Sequence, residues 1–352
     1  MTTGAADILV WGPRPPGPYP PALGGGDGWD SSSAPAAGAL AARGPWRLFW
    51  LRLRRDRIAL ASLGFIALVV VVALAAPLVV RLAGVPGPYV QSSNALDAFG
   101  SPTGPSAVHP FGVDQLGRDV FARVVYGART SLEVGVIATA IAVAIGTIIG
   151  LLAGFYRGLT DTLLSRLTDV VLCFPVLLVG LGLGAACGVR GCVKGVIQPG
   201  ISTIVAIVAL FNWTYIARIV RGQVLSLREQ EFVDAARSLG ASNARIVFSE
   251  ILPNLTAPLI VYASLLIPAN ILLEAALSFL GVGVRAPAAS WGQMLANATP
   301  IFNTAWWYML FPGLALLLTV LAFNLLGDGL QDALNPRAGR SISNPRGGDQ
   351  GP

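Results

Sequence analysis

Few side chains in this sequence have the types and spacing that bond-making chemistry needs. There is one histidine, His109. A paired-histidine metal site is therefore excluded, and a place beside Pro110 reads as a loop position without partners for an acid–base relay. Cys173, Cys187 and Cys192 lack the paired spacing of a zinc site. No Gly-x4-Gly-Lys-Ser/Thr phosphate loop occurs, so the chain does not bind ATP in that manner. The expectation is a protein that is not an enzyme and that uses no metal and no cofactor.

Two constellations remain. Glu274, with Asn270 one helical turn before it, lies inside a long apolar run. An acid within a membrane span costs about 2.5–3.5 kcal/mol on insertion scales, so it is expected to face a bundle interior or a translocation path rather than lipid. A spacing of four puts both residues on one helix face. The competing task is a hydrogen bond to another helix, including one of a partner subunit. The second constellation is Cys187-Gly-Val-Arg-Gly-Cys192. On an oxidising face these two cysteines can bridge, and closing so short a loop contributes roughly 2 kcal/mol in the chain-entropy model. Otherwise Cys187 is a small apolar residue in the bilayer and Cys192 is free.

The elements that must carry these groups follow from composition. Of 352 residues, 54% are hydrophobic and 12% charged, and mean hydropathy is +0.66. A soluble domain has about 25% charged residues. A soluble enzyme and a disordered polypeptide are both excluded. The net charge of +6 does not indicate nucleic acid, because the basic residues flank apolar runs as in membrane proteins. Six such runs, at 58–80, 134–155, 170–187, 201–217, 255–280 and 305–326, are each close to the about 20 residues that cross a bilayer. The fold class is therefore all-α, with six transmembrane helices.

The chain divides into a disordered tail at 1–44, a basic segment with the first span at 45–80, and a loop at 81–133. A five-helix core at 134–330 and a tail at 331–352 follow. The first apolar run is too long for a signal peptide. With the N-terminus inside, 17 of the 24 Lys and Arg fall on the inner side and 7 on the outer. That bias puts both termini in the cytoplasm of a bacterial cell membrane. Trp306, Trp307 and Tyr308 then open the sixth span at the outer interface. An amphipathic helix is expected at 114–129 on the outer surface.

The inner loop at 221–254 is the most informative stretch. Strong helix formers at 229–239 give a first helix, Gly240 supplies a left-handed cap, Ser242 can cap a second helix, and Pro253 is expected to end it. Asp234-Ala235-Ala236 sets two small residues beside an acid, which suits close seating in another protein's groove.

This loop resembles the coupling loop of ABC-importer membrane subunits, whose pattern is Glu-Ala-Ala, three residues, Gly, nine residues, Ile, one residue, Leu-Pro. Here Asp234-Ala235-Ala236 is followed after three residues by Gly240, and then by Ile251, Leu252 and Pro253; Asp234 replaces Glu and Glu250 stands at the Ile position. Before the second span, Gly112-Val-Asp114-Gln-Leu-Gly117-Arg118-Asp119 resembles the Gly-Thr-Asp-x-x-Gly-Arg-Asp segment of C-type permeases of dipeptide and oligopeptide importers, with Val113 replacing Thr. Glu274-Ala-Ala-Leu-Ser-Phe-Leu-Gly-Val-Gly283 looks like the same branch.

The resemblance implies half of a peptide translocation path. It also implies a homologous second permease, two ATP-binding subunits and an extracytoplasmic solute-binding protein. Asp234, Ala235, Ala236, Gly240, Ile251, Leu252 and Pro253 would then couple to an ATPase. Asn270 and Glu274 are candidates for the path. Within the same family the solute can instead be nickel or another small molecule. From another class, an ion-coupled secondary carrier is the rival, with Glu274 as its intramembrane acid.

Overall fold

The computed structural model describes residues 45–192 and 197–334. The tail expected at 1–44 lies outside the described residues, as does 335–352 of the tail expected at 331–352; residues 331–334 are instead the last turn of the final helix. Asp56 caps the first span: its carboxylate accepts from the Ile58 and Ala59 amides at 2.9 and 3.1 Å. After a short α1 (Pro45–Leu53), α2 (Arg57–Leu74) and α3 (Ala76–Leu82) follow. Next come α4 (Val120–Tyr156), α5 (Gly158–Leu172), α6 (Val176–Arg190) and α7 (Ile201–Leu227). The chain ends in α8 (Glu231–Ser238), α9 (Asn243–Arg245), α10 (Leu252–Phe279), α11 (Trp291–Ala298) and α12 (Trp306–Leu334). Among the described residues five helices are long and apolar enough to cross a membrane, or six with the bent α5–α6 pair taken as one span.

Three expectations are corrected. The run at 170–187 is not one straight helix: α5 and α6 meet at a 78° bend. The bend lies at Cys173–Pro175, where proline lacks the donor a continuous helix needs. The outer helix expected at 114–129 does not exist as a separate element. Asp114 to Asp119 form a tight turn, and residues from Val120 onward are the first turns of α4. At 37 residues, α4 is about 55 Å long, well beyond a hydrocarbon core of about 30 Å. Third, Pro253 does not end a helix. A π-helical turn at Ile246–Ile251 leads directly into α10. The wider turn places Pro253 in the first turn of α10, where its missing N–H costs nothing.

The core of the bundle is the pairing of α4 with α7. Gly146, Gly150 and Gly154 form a ladder at intervals of four along α4. A Cβ at Gly150 would lie 2.7 Å from the Ala217 carbonyl and 2.7 Å from Val220 Cβ. At Gly146 it would lie 2.7 Å from Ile216 Cβ, and at Gly154 2.7 Å from Val224 Cβ. Helices in lipid gain little from hydrophobic burial against each other, so this close backbone approach supplies the packing.

Candidate functional site

The loop between α7 and α10 is fastened to the bundle on one face and open on the other. Val233 of α8 and Ile246, Val247 and Ile251 of the following segment are buried with Leu151, Phe155, Val220 and Val224 of α4 and α7. Arg228 donates to the carbonyls of Gly154 and Phe155 at the end of α4, and Arg157 pairs with Glu229. Two further pairs, Arg221 with Asp161 (2.8 Å) and Arg218 with Asp169 (3.0 Å), tie α7 to α5. These contacts join the loop to α4 and α7 directly, and to α5 through α7.

The end of α8 is a Schellman cap. The Ala241 amide donates to the Ala236 carbonyl at 3.1 Å and the Gly240 amide to Arg237 at 3.0 Å. Gly240 has φ +78°, the left-handed conformation the motif requires. The Ser242 hydroxyl accepts from the Arg245 amide at 3.4 Å. This cap exposes Asp234, Ala235, Gly240 and Pro253, and leaves Ala236 and Leu252 half-buried. Ile251 is placed differently: it is fully buried in the chain's own core and anchors the loop instead of facing a partner. Sequence reasoning passed over Leu239 and Phe248, which project 88% and 65% exposed from the same loop. Their signal is two large apolar residues immediately beside caps and charges.

Asn270 and Glu274 are brought together on one face of α10, and both are completely buried within this chain. The Ser131 hydroxyl of α4 donates to Glu274 Oε2 at 2.9 Å, and Ser278 to Oε1 at 2.7 Å. Ser290, whose hydroxyl accepts from the Gln293 amide at 3.2 Å, caps α11 and is itself fully buried. Asn270 Nδ2 donates to Thr139 Oγ1 of α4 at 2.8 Å, and its amide oxygen accepts from Asn212 of α7. The geometry is that of a polar clamp joining α4, α7 and α10. Removing the carboxylate in Glu274→Ala leaves buried hydroxyls without their acceptor, a cost of roughly 1–3 kcal/mol. A thermal-stability assay in detergent is expected to show this loss, with Glu274→Gln retaining most of the stability.

At the opposite end of the bundle the Gly112–Asp119 motif is a structural brace. Asp114 accepts from the Leu116 and Arg118 amides at 2.9 and 3.0 Å, and from Arg118 Nε at 2.7 Å. Asp119 caps α4 through the Ala122 amide at 2.7 Å and also meets His109 Nδ1 at 2.9 Å. Gly112 and Gly117 take positive φ against Trp307 and Ser92. Cys187 and Cys192 are joined by a disulfide, and Cys173 is a free, exposed thiol. In intact cells without reductant, thiol alkylation is expected to label Cys173 alone. Labelling of all three would contradict the bridge.

The bundle matches solved structures of the inward-facing methionine ABC transporter MetNI. One match has a TM-score of 0.50 and 18% identity, covering 60% of this chain and 96% of that one. At that identity the likeness is one of fold. The model of the binding-protein-dependent transport system inner membrane component matches residues 146–340. That of the N-terminal membrane domain of oligopeptide transport permease C matches residues 44–99. The dipeptide transport system permease protein DppC of Alkalihalophilus pseudofirmus is 40% identical over 88% of this chain and 95% of its own. The glutathione transport system permease protein GsiD of Escherichia coli is 42% identical over 84% and 91%. The chain belongs to the family of binding-protein-dependent transport system inner membrane components. It is a multi-pass inner-membrane transport subunit.

Proposed function

We propose that this chain is the C-type permease of an ATP-driven importer of dipeptides or oligopeptides. It pairs with a homologous permease, two ATP-binding subunits and an extracytoplasmic solute-binding protein. Both termini and the α8 loop are cytoplasmic, in keeping with the 17 to 7 distribution of basic residues. The observation that carries the reading is the α8 loop. It is a rigidly capped helix with a small-residue face, fastened by Val233, Ile246 and Ile251 to the helices that must move. Asp234, Ala235, Ala236, Gly240, Leu252 and Pro253 form the docking face for an ATPase, extended by Leu239 and Phe248. Ile251 supports that face from behind. Asn270 and Glu274 hold the helices of the path in register.

The peptide assignment draws on the relatives named for dipeptide and glutathione transport. It is tested by reconstituting the complex in vesicles with its binding protein. Import of labelled dipeptides is expected; import of nickel with no peptide import would replace the substrate and keep the family.

A further inference from the structure

We propose that the cleft between α4, the start of α7 and the α10–α11 loop is a receiving site for a small zwitterionic peptide. It binds the amino terminus at Glu133 and the carboxylate at Arg285. This rests on the peptide-importer reading above. The cleft has a volume of about 610 Å³, within the roughly 300–1,000 Å³ of small-molecule sites. Its opposite charges come from different walls: Glu133 from α4 and Arg285 from the loop after α10. Both are exposed, and among the described residues neither forms an ion pair. Arg129, one turn before Glu133, borders the neighbouring groove with it and forms no ion pair with it either. Ile137, Val205 and Val284 add apolar lining to the same cleft, and Gln198 and Ser202 add polar lining.

The third wall is fixed in place. Cys192 and Ile197 exchange backbone hydrogen bonds of 2.9 and 3.2 Å, and the disulfide fastens Cys192 to Cys187 in α6. The Thr203 hydroxyl holds the Gln198 carbonyl at 2.7 Å. A wall held this way loses little freedom when a ligand arrives, which favours binding. A peptide with free termini presents one cation and one anion, and so matches a cleft lined by an unpaired acid and an unpaired base. Charge-assisted contacts of this kind are the stronger class of hydrogen bond.

The test uses the intact complex in vesicles, with a photoreactive benzoylphenylalanine in place of Ser202 and radiolabelled dialanine delivered by the binding protein. Illumination during turnover is expected to attach label to this chain. Glu133→Gln combined with Arg285→Gln is expected to lower both adduct and import about tenfold. Complex assembly and the binding protein's own affinity for peptide should be unchanged. Import without an adduct, or wild-type import by the double variant, overturns the cleft as a peptide site. A loss that excess loaded binding protein restores also overturns it, and makes the cleft a docking surface for that protein. A complex that imports no peptide at all fails at the earlier reading, before any crosslink is scored.

Discussion

Gly150→Leu is expected to abolish import by preventing α4 and α7 from closing. The added Cβ alone would stand 2.7 Å from the Ala217 carbonyl and from Val220 Cβ, and neither is the end of a flexible side chain. The helices must therefore separate. Overpacking typically costs 1–3 kcal/mol, about, and more when backbone has to move. The same interface carries the buried cluster of Trp213, Ile216, Val220 and Val224 that holds the loop, so separation also unseats α8. The measurement is membrane yield and detergent melting temperature beside import rate. All three are expected to fall. Gly222→Leu, at a position with nothing within 4 Å, is the control and is expected to leave stability near wild type.

Gly240→Val is expected to behave in the opposite way, with normal insertion and stability of the bundle but lost import and lost substrate-stimulated ATP hydrolysis. No atom lies within 4 Å of a Cβ at Gly240, so its requirement is conformational and not steric crowding by neighbours. At φ +78° an L-residue pays about 1–2 kcal/mol, and a β-branched one more. The cheapest relief is to undo the Schellman cap, which tilts α8 and its docking face. Gly240→Asn, which visits the left-handed region readily, is expected to keep most of the activity. Equal loss in the Asn and Val variants would mean that the position matters for its lack of a side chain at the docking face and not for the shape of the cap.

The contrast between these glycines shows what was legible in the sequence. The Gly240 cap and the Ser242 cap are local: each is made with residues no more than a few positions away, so propensity alone exposes them. The spans were legible because a bilayer demands a long apolar run whatever the neighbours are. The 146, 150, 154 ladder carried a readable signal, small residues at intervals of four, but its meaning depends on α7, more than fifty residues on. Glu274 was recognisable as a costly group, yet its acceptor role rests on Ser131, 143 positions away. Pro253 misled because a helix-ending residue is rescued by a π turn, and nothing in residue type announces that turn. Similarly, the amphipathic look of 114–129 arose from two unrelated causes. Its charges serve the Asp114–Arg118 turn and the Asp119 cap, and its valines are the buried start of α4.

The central claim is that transport through this chain is driven by ATP in partner subunits and reaches the bundle through the α8 loop. The most direct measurement is peptide uptake into vesicles containing the reconstituted complex, with the binding protein outside. Uptake with ATP enclosed and no ion gradient is compared with uptake under an ion gradient and no ATP. The account predicts uptake only with enclosed ATP, and its loss in Gly240→Val. Uptake driven by the gradient without nucleotide, undiminished by Gly240→Val, would contradict it and establish an ion-coupled carrier.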